Sequence, residues 1–88
     1  MGSTVTESLG EIRSVLAGVA EQLGSAYRHA GLARARIADA VALLDDLGHG
    51  HPEPLVPVEL RKAADELDRG LVLISGGATA VADIDARL

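Results

Sequence analysis

Cysteine, phenylalanine and tryptophan are absent from this 88-residue chain, and Tyr27 is its single aromatic residue. Without cysteine there is no disulfide framework, no zinc-thiolate centre and no thiol nucleophile. With a single aromatic ring, the stacking platforms that RNA loops and single strands require are missing. Cations are also scarce: eight Lys and Arg stand against thirteen Asp and Glu, a formal net charge of −5. No surplus of positive charge exists to displace counterions from a phosphate backbone, so nucleic acid is not expected as a partner. Long apolar runs are missing too. The longest uncharged stretch, residues 70–82, contains Ser75, Gly76, Gly77 and Thr79 and falls short of the roughly 20 residues of a membrane span. The opening Met1-Gly2-Ser3-Thr4-Val5 has no basic segment ahead of an apolar core, so no secretory signal peptide is expected. The chain is read as cytoplasmic, with export without a cleavable signal as the alternative.

What the chain has in quantity is aliphatic: 15 Ala, 13 Leu, 8 Val and 4 Ile. Their placement is periodic. Val5, Leu9, Ile12, Leu16, Val19, Leu23, Ala26, Ala30, Ala33, Ile37, Ala40, Leu44 and Leu47 follow one another in steps of four and three without a miss. A mean period of 3.5 is a heptad seam, and it predicts one helix over residues 4–47, roughly 64 Å long. Ser3 or Thr4 suits its N-cap, and Glu7, three residues after Thr4, completes a capping box. The loop follows at residues 48–57, where Gly48, Gly50, Pro52, Pro54 and Pro57 exclude a helix interior and make the connection stiff. Helix two is expected over residues 58–88. Its seam runs through Leu60, Leu67, Ile74, Val81 and Leu88, with Ala63, Ala64, Leu71, Ala78 and Ile84 between them. Ser75-Gly76-Gly77 is a possible kink, because each glycine destabilises a helix interior by about 1 kcal/mol relative to alanine.

The expected fold is therefore all-α: an antiparallel two-helix hairpin of coiled-coil type, a single domain over residues 1–88. The helices differ in length. Facing Leu47 with Leu60 brings Leu88 only to the neighbourhood of Val19 and leaves the start of helix one without a neighbour. That overhang carries Val5, Leu9, Ile12, Val15 and Leu16, an apolar strip too large for water. A second copy is the simplest cover, closing two hairpins into a four-helix bundle. The expected partner interface is Val5, Leu9, Ile12, Val15, Leu16, Val19, Leu23 and Tyr27, in a homodimer or in a pair with a related helical protein. Val41, Leu43, Val72 and Leu73 are expected to widen the same apolar stripe. One step after the Leu positions lies a line of small residues, Gly10, Ala17, Gly24, Gly31 and Ala38, which is either a groove for close helix approach or a compositional bias toward small side chains.

The remaining polar groups suggest little chemistry. His49, His51 and Glu53, with His29 as a third imidazole, have the residue types of a metal site, and a metal or small-ligand carrier is one alternative function. Two histidines in a Gly/Pro loop supply neither the ligand count nor the supporting shell, so no metal is expected. Arg28, Arg34 and Arg36 are the one basic cluster; they read as a solvated flank facing Asp65, Glu66 and Asp68 of helix two within a dimer. Asp45 and Asp46 lie near Arg61 and Lys62 and should clamp the loop end. No Ser/His/Asp order, phosphate loop or carboxylate pair calls for catalysis, so neither a catalytic residue nor a cofactor is expected.

Two long helices around a central turn, with an Ala/Leu-rich seam in a chain of this size, resemble the WXG100 (ESAT-6-like) family of small actinobacterial helical-hairpin proteins. The resemblance covers the whole length as architecture. It implies pairing with a related helical chain, and a type VII (ESX-like) secretion substrate or partner chaperone as an alternative function. The turn reads Leu47-Gly48-His49-Gly50-His51, without the family's Trp-x-Gly, and the C-terminal end lacks its tyrosine-and-acid secretion motif. No residue role carries over.

Overall fold

The computed structural model describes the backbone of residues 2–88 and the side chains from residue 6 onward. Two helices form the molecule, α1 (Gly2–Leu47) and α2 (Val58–Arg87), and no strand occurs among the described residues. They lie antiparallel against each other in a rod of 76 × 15 × 14 Å. Helix α1 begins at Gly2, ahead of both residues expected to cap it, so Ser3 and Thr4 lie within its first turn. The side chain of Thr4, and with it the capping box, lies outside the described residues. Helix α2 starts behind Pro57, whose φ of −63° and ψ of 141° set the extended entry, the backbone that proline favours ahead of a helix. Glu59 in its first turn and Arg87 in its last complement the helix dipole.

The connection is tight at its beginning. The Gly48 amide donates to the Leu44 carbonyl at 2.9 Å, and the His51 amide to the Gly48 carbonyl at 2.9 Å. Gly50 has a φ of +81°, the only positive value among the described residues, a conformation that a Cβ would oppose. A Cβ on Gly48 would come within 3.2 Å of the Leu44 carbonyl oxygen and 3.5 Å of the Leu55 side chain. These two glycines are there because the turn needs them.

Near the loop Arg61 Nη2 donates to Asp45 Oδ1 at 3.4 Å, as the heptad pairing expects. Farther along, the register differs from the one read off the heptads: Arg34 Nε donates to Asp68 Oδ1 at 2.8 Å, and Tyr27 lines one trough with Ile74 and Ser75. At the far end Val81, Ala82 and Asp85 flank Arg13, Leu16 and Ala17. Helix α2 thus reaches more than a turn further along α1 than a Leu47–Leu60 pairing allows. Leu16 is packed inside the hairpin, and the overhang shrinks to the residues before Arg13. Helix α1 keeps its heptads throughout: Leu9, Leu16, Leu23, Ala30, Ile37 and Leu44, seven apart, are all half-buried. Arg61 and Ala64 in the first turns of α2 flank Val41, Ala42 and Asp45, so Leu47 lies beyond the reach of α2. It is 72% exposed, and Leu44 is the last seam leucine.

Helix α2 is shorter and stays on its heptads. Leu60, Leu67, Ile74 and Val81 are all half-buried, together with Ala63, Ala64, Leu71 and Ala78, whereas Ile84 and Leu88 are exposed. The helix runs unbroken through Ser75-Gly76-Gly77. Ile74, Ala78 and Val81 face α1 on both sides of the glycines, and such packing outweighs weak propensity.

Candidate interaction surface

A two-helix hairpin has one seam and no interior, and none of the described residues is buried. The chain exposes 6629 Å², against about 4,900 Å² for a compact monomer of its 9.0 kDa mass. Its radius of gyration is 20.7 Å, where about 12 Å is typical of 88 residues. Large apolar side chains account for part of this excess surface, and two groups of them bear on the interface read from the sequence.

The first lies on α1 and holds the residues singled out from the sequence. Ile12 is 46% exposed and Val15 66%, and with Glu11 and Leu16 they line a shallow apolar trough. Leu9 and Val19 are half-buried; Leu16 is half-buried as well, but against Val81 and Ala82. Leu23 and Tyr27 belong to a different trough, shared with Ile74 and Ala78 of α2, where the Tyr27 ring lies half-exposed at the hairpin's edge. The Val5 side chain lies outside the described residues. Ile12 and Val15 therefore form one free edge, whereas Leu16, Val19 and Leu23 are half-buried.

The second group was misplaced by sequence reasoning. Val72 and Leu73, expected to widen the seam, are 72% and 75% exposed on the side of α2 away from α1. The available signal was angular: with Leu71 and Ile74 on the seam, residues 72 and 73 fall on the opposite side of the helix. Leu43 is likewise exposed, whereas Val41 does join the seam.

The other candidates are dispersed. The line Gly10, Gly24, Gly31 makes no close helix approach inside the hairpin: a Cβ on Gly10 or Gly31 meets nothing within 4 Å, and on Gly24 only Arg28 Nη1 at 3.5 Å. His51 Nδ1 is held by the Glu53 backbone, 3.2 Å from its amide and 3.0 Å from its carbonyl. His29 sits on α1 about 27 Å of helix away from the end of that helix, so the three imidazoles do not converge. Among the described residues no group of three potential ligands can hold a metal ion. Arg34 pairs with Asp68 of its own hairpin, where a partner in a dimer was expected. Asp45 and Arg61 clamp the loop end as expected, through an exposed ion pair of about 0–1 kcal/mol. No helix among the described residues is long and apolar enough to cross a membrane. Comparisons with protein-family models, with curated proteins and with solved structures return no match.

Proposed function

We propose that this chain is a non-enzymatic protein–protein interaction module of the cytoplasm, which self-associates or pairs with a related helical chain to complete a four-helix bundle. The observation that carries this reading is that no side chain among the described residues is buried, in a rod with more than 6,600 Å² of surface. A core of this kind is half of something: helices that are amphipathic on one face gain most of their stability from tertiary packing, and here only one neighbour supplies it. The α1 edge at Ile12 and Val15 is the surface a neighbouring helix would cover first. Pairing with a related chain, the behaviour implied by the WXG100 resemblance, is supported by the hairpin architecture alone.

Sedimentation equilibrium from low to high micromolar concentration tests this. The expected result is a mass rising from 9.0 kDa toward twice that value as concentration increases. A helical, cooperatively melting monomer whose mass is the same at every concentration would overturn self-association.

A further inference from the structure

The back of α2 carries a second regular pattern. Arg69, Leu73, Gly76, Ala80 and Asp83 follow one another in steps of four and three, and Glu66 and Arg87 continue the line outward. All seven are exposed, facing away from α1. Leu73 at the centre is 75% exposed, the largest value of any large apolar residue described. No charge falls between Gly70 and Ala82. None of the four charged residues on this line joins an ion pair within the hairpin, although Arg87 lies one helical turn from Asp83.

Gly76 itself has no use inside the hairpin. Its φ is not positive, and a Cβ placed on it meets nothing within 4 Å. Glycine at such a position weakens the helix relative to alanine. What it offers, with Ala80 four residues on, is a flat strip where another helix backbone can approach closely.

The line is complementary to its own reverse. Seven residues before Gly76 stands Arg69 and seven after it stands Asp83; ten before stands Glu66 and eleven after Arg87; three before stands the large Leu73 and four after the small Ala80. An antiparallel pair of such helices brings every element opposite its complement, and a two-fold axis makes the same surface serve both partners. We propose that a second copy of this chain docks on the back of α2, antiparallel about a two-fold axis at Gly76, with Arg69 opposite the second copy's Asp83, Glu66 opposite its Arg87, and Leu73 against its Ala80. The occupant is a copy of this chain because the charges, and the large and small residues between them, match when the line is read against its own reverse. One helix face makes a small interface, of the class that gives reversible association.

This inference rests on the self-association reading, with the copies meeting back to back through α2 rather than closing a bundle, and is tested apart from it by charge exchange, read by sedimentation equilibrium. Arg69→Asp sets two acidic residues opposite each other at two places in the dimer, and Asp83→Arg sets two basic ones. Each is expected to weaken association at least tenfold, and the double variant Arg69→Asp/Asp83→Arg to restore it to within about threefold of the original. Because both positions are exposed, helical content should not change. The chain has no cysteine, so Gly76→Cys gives a second readout: under mild oxidation it should cross-link to a dimer, whereas Ser14→Cys on the outer side of α1 should not. A dimer indifferent to both single reversals, or lost in the double variant, would overturn this interface while leaving self-association standing. Dissociation by Ile12→Asp/Val15→Asp but by neither reversal would move the contact to α1. A wild-type chain that is monomeric throughout would overturn both readings.

Discussion

Replacing Gly18, Gly31, Gly70 and Gly77 together with alanine should raise the thermal midpoint of the hairpin by roughly 15–30 °C. All four lie inside helices, none has a positive φ, and a Cβ at each meets nothing within 4 Å. The native backbone therefore accepts alanine without strain. The gain is the ordinary propensity difference of about 0.8–1 kcal/mol per site, drawn largely from the reduced freedom of the unfolded chain. The sites are far enough apart for near additivity except Gly70 and Gly77, which share one face two turns apart. About 3–4 kcal/mol in total, at 4–8 °C per kcal/mol for a domain of this size, gives the stated range, read by circular dichroism at 222 nm. A single site where alanine lowers the midpoint would show that its missing Cβ is used, and would locate a close approach made by something outside the hairpin. Gly76 is left out of the set because the proposed two-fold contact passes over it.

The second large effect comes from the same substitution at two residues only two positions apart. Leu71→Asp should abolish the cooperative melt, and Leu73→Asp should leave it within about 0.5 kcal/mol of the original at low protein concentration. Leu71 is half-buried in the seam. Its loss removes about 2–3 kcal/mol of apolar burial and sets a carboxylate where a nonpolar neighbour awaits it. A rod with one seam has little stability in reserve. Leu73 is 75% exposed on the opposite side. Equal loss of helicity in both variants would mean that Leu73 is packed rather than exposed on the back of α2.

Much of this architecture is legible in the residues. Thirteen periodic positions from Val5 to Leu47 announce a long helix, the Gly/Pro cluster of residues 48–57 announces its end, and Leu60 to Val81 announce the returning helix. These signals are local, and local chemistry decides them. The register is not legible, because a heptad seam pairs equally well after sliding by one repeat, and the path of the loop from Leu47 to Val58 decides which residues meet. The slide of α2 toward the start of α1 is why Leu47 points to solvent and Leu16 has a neighbour. The α1 edge was visible as apolar residues in excess of what one hairpin can cover, but dividing them into Ile12 and Val15 outside and Leu16 and Leu23 inside required the register. The back of α2 was hidden for a different reason. Its pattern mixes charged, large and small residues, so no hydrophobicity count registers it; only after the seam has been assigned to Leu67, Ile74 and Val81 does the line through Leu73 and Gly76 stand apart.

The absence of a shared interior also decides how the molecule comes apart. From Arg13 to the loop, each turn of α1 leans on the turn of α2 beside it, so the rod is a ladder whose rungs are local, closer to a repeat array than to a globule. Opening a few rungs at one end costs only those rungs, while the loop end is held by the covalent turn, the Gly48 and His51 amide bonds and the Asp45–Arg61 pair. Amide hydrogen exchange should accordingly show a graded profile. Protection is expected to be greatest around Ile37–Leu44 and Leu60–Leu67 and to fall steadily toward Leu9 and Val81. Uniform protection along both helices would point instead to all-or-none unfolding of the rod. With contacts that close outward from a single turn, folding has few long loops to draw together before its first contacts form. The hairpin is then expected to zip from the loop end, leaving the α1 edge as the last surface to order and the first to become free for another helix.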